Sequence, residues 1–229
     1  MNRRTKAPAF LVLASALVAA CAPLGGRHAQ ATSNRMSSPD VAARRAMEDL
    51  PRLITPANAA PMGFRSAEEA KAARLGRPIP RRVVGYDTLL NYKAGTALTE
   101  LFARGEELVY PVEVAGRVAS SLTVSHIGDA WQVSSVADGY LGGLIAKALA
   151  IRPDAPSLQI VSMPGIGMDF AAFEDRNTWV FLPARDYDEV KLSEGRTVSA
   201  DKALSAISDY AKDLDHRYGD QIRNRKLLR

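Results

Sequence analysis

The chain has 229 residues, with 30 lysines and arginines, 25 aspartates and glutamates, and one cysteine. Three of the basic residues and none of the acidic ones precede residue 21, so residues 21–229 carry 27 basic and 25 acidic side chains, a net charge of +2. A charge this small gives no footprint for binding nucleic acid. A single cysteine excludes an intrachain disulfide, so the folded part must be held by its core.

The first twenty residues have the pattern of a cleaved targeting segment. A basic start over 3–6 is followed by an uncharged run over 9–20, as in the n-region and h-region of a signal peptide. The run ends in the small residues Val18-Ala19-Ala20, directly before Cys21. About a dozen uncharged residues are fewer than the roughly twenty that a membrane-spanning helix requires. We therefore predict a signal peptide over 1–20.

This arrangement around Cys21 resembles the lipobox of bacterial lipoproteins. The resemblance implies that the Ala20–Cys21 bond is cut, that Cys21 carries a diacylglyceryl thioether, and that the new amino terminus is acylated. Several acyl chains would give a stable anchor, because one chain gives only marginal, reversible binding. The following residue, Ala22, is not the aspartate that favours inner-membrane retention in such families. We expect a lipid-anchored protein of the cell envelope, on the periplasmic face of the outer membrane if two membranes are present.

Residues 21–63 are predicted to form a lipidated tether that contains a short helix. The segment 22–37 has no apolar periodicity, and a coil of this length spans roughly 20–24 Å. Ser38 is placed to cap a helix that should stop before Pro51. A second linker should follow, so we place a single α+β domain over 64–229.

Two elements are predicted at the start of that domain. Ser66 and Glu69 have the spacing of a capping box, which predicts a helix that ends before Gly76. Residues 83–92 are rich in β-branched and aromatic side chains and favour a strand. A helical turn over 87–92 is the alternative.

Residues 107–137 are predicted to form a three-stranded meander. The pair Gly128-Asp129 suits a two-residue type II′ turn that pairs His126 with Trp131. A three-residue loop over 115–117 would keep the apolar residues of the first two strands on one face. That loop pairs Val114 with Val118 and Tyr110 with Leu122, and it leaves an opposite, solvent-exposed face that carries Ser121, Thr123 and Ser125.

The remaining chain is predicted to alternate helices and strands. The spacing of apolar residues predicts an amphipathic helix over 200–218 that ends at Gly219. The segment 164–173 is a strand continuation or a loop. The other predicted elements are a helix over 140–151 and strands over 158–163 and 178–182.

Helices that flank an antiparallel meander predict an α+β fold, with a two-layer antiparallel sheet, packed helices and a long C-terminal amphipathic helix. The capped helix at Ser66 and the strands over 110–116 and 130–133 together resemble the cystatin-like modules of secreted bacterial proteins, including the PepSY propeptide group. The resemblance covers residues 66–137. It implies a module that binds or inhibits a neighbouring protein and does not catalyse a reaction.

The motifs of common catalytic sites are missing from the sequence. It contains no Gly-x-Ser-x-Gly elbow, no His-Glu-x-x-His zinc helix and no phosphate-binding loop. We predict a non-enzymatic protein, without metal or cofactor, that binds a protein partner in the periplasm or at the cell surface. His126 and Trp131 on the meander, and Met168 and Phe170 in the apolar segment, are the candidate partner or ligand surface. A carrier or sensor of an apolar small molecule is the alternative, and an enzyme is less favoured.

Replacing Cys21 should separate the anchor from the fold. In Cys21→Ser the acylated side chain is absent, so we expect the protein to move from the membrane to the soluble fraction while the domain stays folded. Fractionation and labelling with a radioactive fatty acid measure the first effect, and circular dichroism the second. A mutant that stays membrane-bound and lipid-labelled would contradict the prediction.

Overall fold

Nine strands and five helices make up the part of the chain that the computed structural model describes, residues 36–223. The helices are α1 (Pro39–Leu53), α2 (Ala67–Lys71), α3 (Tyr86–Leu90), α4 (Gly139–Ile151) and α5 (Ala200–Arg223). The strands are β1 (Arg74–Leu75), β2 (Ile79–Val83), β3 (Glu107–Val114), β4 (Arg117–Ile127), β5 (Ala130–Ser135), β6 (Gln159–Met163), β7 (Met168–Asp175), β8 (Thr178–Pro183) and β9 (Val198–Ser199). The predicted α+β class is confirmed, with a mostly antiparallel sheet and a long C-terminal helix.

All strands belong to one open sheet. Its order is β5-β4-β3-β2-β6-β7-β8-β9, and β1 pairs with β3 beside this path. Every pair is antiparallel except β2 with β6. The sheet therefore consists of two antiparallel groups joined by one short parallel pair.

Helices cover both faces of this sheet. Helix α5 packs on one face of β6–β8, in a cluster that contains Phe170 and Phe181. Helix α1 lies on the same face over β3 and β4, against Tyr110 and Leu122. Helix α4 packs on the opposite face, against Ile160 and its neighbours. The third layer goes beyond the two that the sequence indicated.

Helix α1 begins where the sequence predicts and continues farther. The Ser38 side chain accepts a hydrogen bond from the Val41 backbone N–H at 3.3 Å. The helix passes through Pro51 and ends at Leu53, although we expected it to stop before the proline. Leu50 is fully buried against the sheet, and we attribute the extra turn to this packing, which offsets the hydrogen bond that proline cannot donate.

Residues 36–63, which we had placed in the tether, pack with the rest of the described chain. They belong to the compact unit that contains residues 35–229. The Asn58 side chain closes the turn after α1, because its Oδ1 accepts from the Thr55 N–H at 2.7 Å and its Nδ2 donates to the Leu53 carbonyl at 2.9 Å. Phe64 is then buried in the cluster under α1.

The cap at Ser66 forms as predicted, but Glu69 closes the box one residue earlier than expected and the helix is shorter. Ser66 Oγ accepts from the Glu69 N–H, and the Glu69 carboxylate accepts from the Arg65 N–H. This backbone hydrogen bond, helped by the Arg117 guanidinium, lowers the pKa of Glu69. Helix α2 ends at Lys71 rather than near Gly76, because the chain leaves it to pair with β3.

The strand predicted over 83–92 is wrong beyond Val83. Strand β2 lies earlier, and residues Tyr86–Leu90 form α3, which is the alternative that the sequence left open for part of this segment. Burial of Leu89 in the cluster under α5 favours the helix. The Ser208 hydroxyl of α5 also donates to the Leu89 carbonyl at 2.8 Å. Tertiary contacts thus override the strand propensity of the segment.

The register of the meander is confirmed at its centre and wrong at its first turn. His126 pairs with Trp131, and Tyr110 pairs with Leu122. Val114, however, pairs with Arg117 across a two-residue turn, whose two residues have φ angles of 50° and 77°. A bulge at residues 118–120 of β4 supplies the extra residue that we had placed in the loop.

The face of β4 that we predicted to be exposed is buried. Ser121, Thr123 and Ser125 are at most 6% exposed. Helix α4 lies across this face, and Gly142 permits its close approach. An added Cβ at Gly142 would stand 2.5 Å from the Ser120 Cα, so only glycine fits there.

The remaining elements follow the sequence closely. Helix α4 matches the segment predicted over 140–151, and its first turn is capped by Asp138, whose Oδ1 accepts from the Leu141 N–H at 2.9 Å. Strands β6 and β8 match their predicted ranges. The segment 164–173 contains a short turn and then most of β7. Helix α5 continues through Gly219, which is buried, to Arg223.

Two neighbouring glycines of α4 offer a matched test of the helix–sheet contact. Gly142→Ala should destabilise the domain by about 1–3 kcal/mol, because the new methyl group meets the β4 backbone. Gly143→Ala meets no atom within 4 Å and should stabilise the domain by about 0.5–1 kcal/mol, since alanine favours the helix. Urea unfolding measures both free energies. Equal effects of the two substitutions would contradict the packing described here.

Candidate functional site

Three adjoining clefts lie at the end of the sheet where β2, β6 and β8 begin. The first has a volume of about 340 Å³, and it shares Pro80, Pro156 and Leu158 with the second, of about 460 Å³. The third, of about 280 Å³, shares Trp179 with the second. We refer to the three clefts together as the end groove.

Prolines in two segments create the opening between β2 and the loop before β6. Pro80 pairs with β3, but the parallel register of β2 with β6 starts only at Arg81, opposite Ile160. Proline has no backbone N–H and cannot extend a ladder of hydrogen bonds. On the other side, Pro153 and Pro156 lie in the loop that leads into β6. The two segments diverge, and the first cleft lies between them.

The lining of the end groove mixes apolar and polar surface. The first cleft combines Leu149 and the prolines with the charged side chains of Arg77, Glu113 and Asp154. Most of the residues that line it are exposed or half-exposed. An occupant would therefore remain partly in contact with water.

Two aromatic side chains line the centre of the end groove. Phe102 is half-buried, and the Arg82 guanidinium carbon lies 5.9 Å from the centre of its ring. Trp179 is also half-buried and lies between the second and third clefts. At the far side, Asp201 accepts from the Tyr92 hydroxyl at 3.5 Å, and burial together with this carboxylate raises the pKa of Tyr92.

No histidine or cysteine lines any of the three clefts. The described residues, 36–223, also contain no group of three or more histidine, cysteine, aspartate or glutamate side chains that could hold a metal ion. None of the helices in this range has the length and hydropathy that crossing a membrane requires.

A separate polar network lies on the α4 face of the sheet, toward the opposite strand ends. Arg81 Nε donates to Ser162 Oγ at 2.9 Å, and Ser162 Oγ donates to Asp169 Oδ1 at 2.6 Å. Glu107 lies 3.6 Å from the Arg81 guanidinium. Each charge of this network has a partner of opposite sign, and Ser162 is only 1% exposed. The network therefore fits a structural role better than nucleophilic catalysis.

Two tyrosines extend this network. The buried Tyr187 hydroxyl accepts from the Asp169 backbone N–H at 2.8 Å and donates to its carbonyl at 3.1 Å. The Tyr140 hydroxyl lies 3.4 Å from that of Tyr187. Burial, and then the hydrogen bond with Tyr187, raise the pKa of Tyr140 well above its ordinary value.

The structure places the predicted surface residues in two different environments. His126 is exposed, Trp131 is half-buried, and their ring centres are 5.0 Å apart at an angle of 46°. Met168 and Phe170 are at most 3% exposed and belong to the core under α5, so they form no binding surface. Cys21 lies outside the described residues.

Sequence reasoning did not find the end groove. Its signals were the prolines at 78, 80, 153 and 156 and the tryptophan at 179, none of which the sequence analysis assigned to a site. Prolines mark loops in a sequence, but only the sheet order brings these two loops together. The groove also lies at the opposite strand ends from His126 and Trp131.

Comparisons with known proteins add no identification. No protein-family model matches the chain, and neither curated proteins nor solved structures gave a match. The resemblances to lipoproteins and to cystatin-like modules therefore remain predictions.

The tyrosine pair gives a test of the polar network. Tyr187→Phe should cost about 1–3 kcal/mol of unfolding free energy, because the Asp169 backbone N–H loses its acceptor, whereas the Asp169 carbonyl keeps the Ala184 N–H as a partner. Tyr140→Phe should cost less than about 0.5 kcal/mol, since Tyr140 is 44% exposed. Urea unfolding of both variants measures the difference. A larger loss of unfolding free energy in Tyr140→Phe than in Tyr187→Phe would contradict the central role of Tyr187 in the network.

Proposed function

We propose that this protein is a lipid-anchored, non-enzymatic protein of the cell envelope whose domain binds an extended segment of a protein partner in the end groove. The anchor is supported by the sequence around Cys21. The observation that carries the binding role is the run of three adjoining clefts with Trp179 and Phe102 at its centre.

The shape of the groove favours a polypeptide over a small molecule. Sites for small molecules are concave and enclose most of the ligand surface. Here the clefts adjoin along the end of the sheet, and most of the lining residues are half-exposed or exposed. An extended segment could contact all three clefts while its outer side stays in water.

The composition of the groove also suits a protein contact. Tryptophan and arginine are enriched among the residues that dominate binding energies at interfaces, and such residues lie near the centre. Trp179 and Arg82 both line the second cleft, the middle one of the three. The charges of Arg77 and Asp154 lie in the first cleft, where they can fix the direction of the segment.

The carrier hypothesis loses the residues on which it was based. It required the apolar segment around Met168 and Phe170 to line a cavity. Both side chains are buried in the core, and neither lines any of the three clefts. The end groove therefore supports a protein partner better than an apolar small molecule.

Photocrosslinking in intact cells tests the proposal. A benzoylphenylalanine at position 102 should crosslink to one discrete partner, and the added Trp179→Ala should reduce the yield at least tenfold, as expected for a central interface residue. Tyr218→Ala serves as the control, because Tyr218 is an exposed aromatic residue of α5 that lines none of the three clefts. Urea unfolding confirms that both variants are folded. Equal yields from the two variants would overturn the groove as the binding site.

A further inference from the structure

The second cleft of the end groove differs from its two neighbours in charge. Of the described residues that line it, Arg82 alone is charged. The first cleft is lined by one arginine and two carboxylates, Arg77, Glu113 and Asp154, and the third by the carboxylate of Asp201. The charge of the lining is therefore negative, positive and negative along the groove.

The Arg82 guanidinium is held by an aromatic ring and not by a carboxylate. Its central carbon lies 5.9 Å from the centre of the Phe102 ring, and the side chain forms no hydrogen bond or ion pair with another of residues 36–223. A guanidinium over a ring keeps its N–H donors in its own plane, in a fork that matches the two oxygens of a carboxylate. Arg82 is thus positioned with its donors available to an occupant of the second cleft.

A buried glutamine lies in the same cleft without a partner. Gln159 is only 8% exposed. Because side chains alternate along a strand, it points to the same face of the sheet as Val161, where Phe102 and Trp179 also pack. Its amide forms no hydrogen bond with another described residue, yet the amide is not among the polar atoms sealed from solvent. The unpaired amide therefore opens into the second cleft, and a polar group of an occupant would satisfy it.

A third donor lies beside these two. The Ser157 hydroxyl oxygen accepts a hydrogen bond from the Glu174 backbone N–H at 2.9 Å, so its O–H group remains to donate. Ser157 lines the second cleft together with Arg82 and Gln159. One positive charge and three kinds of donor, with no carboxylate among them, form a lining that suits an anion.

We propose that the second cleft binds the side-chain carboxylate of an aspartate or glutamate in the partner segment, with Arg82 and Gln159 as its donors. The inference rests on the proposed partner binding and names the chemistry of the segment. It does not depend on the lipid anchor.

The neighbouring clefts determine where this carboxylate lies in the partner. The second cleft adjoins the first at Pro80 and the third at Trp179, so a bound segment continues in both directions. An internal side chain fits this arrangement better than the carboxyl end of a chain. Carboxylates line the first and third clefts and disfavour further acidic residues there, so the residues on either side of the bound one are neutral or basic.

Selection from a library of random peptides displayed on phage tests the inference with the full-length protein in detergent. The selected peptides should share one aspartate or glutamate. Changing that residue to its amide should raise the Kd about tenfold or more, as expected when a half-buried charge loses its partner. In Arg82→Glu the preference should reverse, so that a peptide with lysine at this position binds more tightly than the acidic one.

Arg196→Glu is the matched control for this charge reversal. Arg196 is exposed and lines none of the three clefts, so the preference for the acidic peptide should stay as in the wild type. If circular dichroism shows that Arg82→Glu does not fold, Gln159→Glu replaces it, because it adds a negative charge at nearly unchanged size. It should lower the affinity for the acidic peptide more than for the amide peptide, and equal losses would overturn the carboxylate.

The variant Trp179→Ala separates this inference from the function on which it rests. Peptides whose affinity is unchanged in Trp179→Ala, or a library that enriches no sequence, would overturn both the groove and the carboxylate. Peptides that depend on Trp179 but bind equally well as acid and amide would overturn the carboxylate alone. Loss of binding when the carboxyl end of the peptide is amidated would overturn the internal side chain as the bound group.

Discussion

The parallel pairing of β2 with β6 is the constraint on which the rest of the structure depends. Only three residue pairs, from Arg81–Ile160 to Val83–Ser162, join the two antiparallel groups into one sheet. A parallel pair needs a crossover connection, and α4 lies in the chain between these two strands. The polar network of Arg81, Ser162 and Asp169 spans the same joint with side-chain hydrogen bonds. The pairing of β2 with β6 thus determines where α4 lies. It also leaves the polar side chains of Arg81, Ser162 and Asp169 near one end of these strands.

The same joint creates the end groove. Because Pro80 cannot donate a hydrogen bond, β2 separates from β6 on one side of Arg81, and the loop over 153–158 fills only part of the gap. The turn between β4 and β5, at Gly128-Asp129, lies at the opposite strand ends, since β4 ends where β3 begins.

Local signals in the sequence were enough to predict most elements but not their partners. The caps at Ser38 and Ser66, the turn at Gly128-Asp129 and the periodicity of α5 each depend on residues close in the chain, and each was confirmed. The bulge in β4 was missed because two arrangements give the same alternation of apolar side chains. One is the predicted loop of three residues, and the other is the observed turn of two residues followed by a bulge. A helix was only the alternative prediction for the segment of α3, because its stability comes from contacts with α5, far along the chain.

The largest error was the prediction that one face of the meander is exposed to solvent, and this error has a physical cause. Ser121, Thr123 and Ser125 alternate with apolar residues as if they faced water, and small hydroxyl side chains do so in most half-buried sheets. They also occupy little space, and with Gly142 they let the backbone of α4 approach β4 closely. The small polar side chains of β4 therefore indicate close packing against α4 rather than exposure to solvent.

This burial limits where the domain can bind. With α1 and α5 on one face of the sheet and α4 on the other, a partner would have to displace a helix to reach the centre of either face. Of the two edges, β9 has only two residues and β5 has six, of which Trp131 is bridged by Met36, so neither offers a long free strand to a partner. The strand ends remain, and of the two ends the one with Trp179 carries the adjoining clefts. A binding role for this domain is therefore expected at the end groove because helices cover the sheet on both sides.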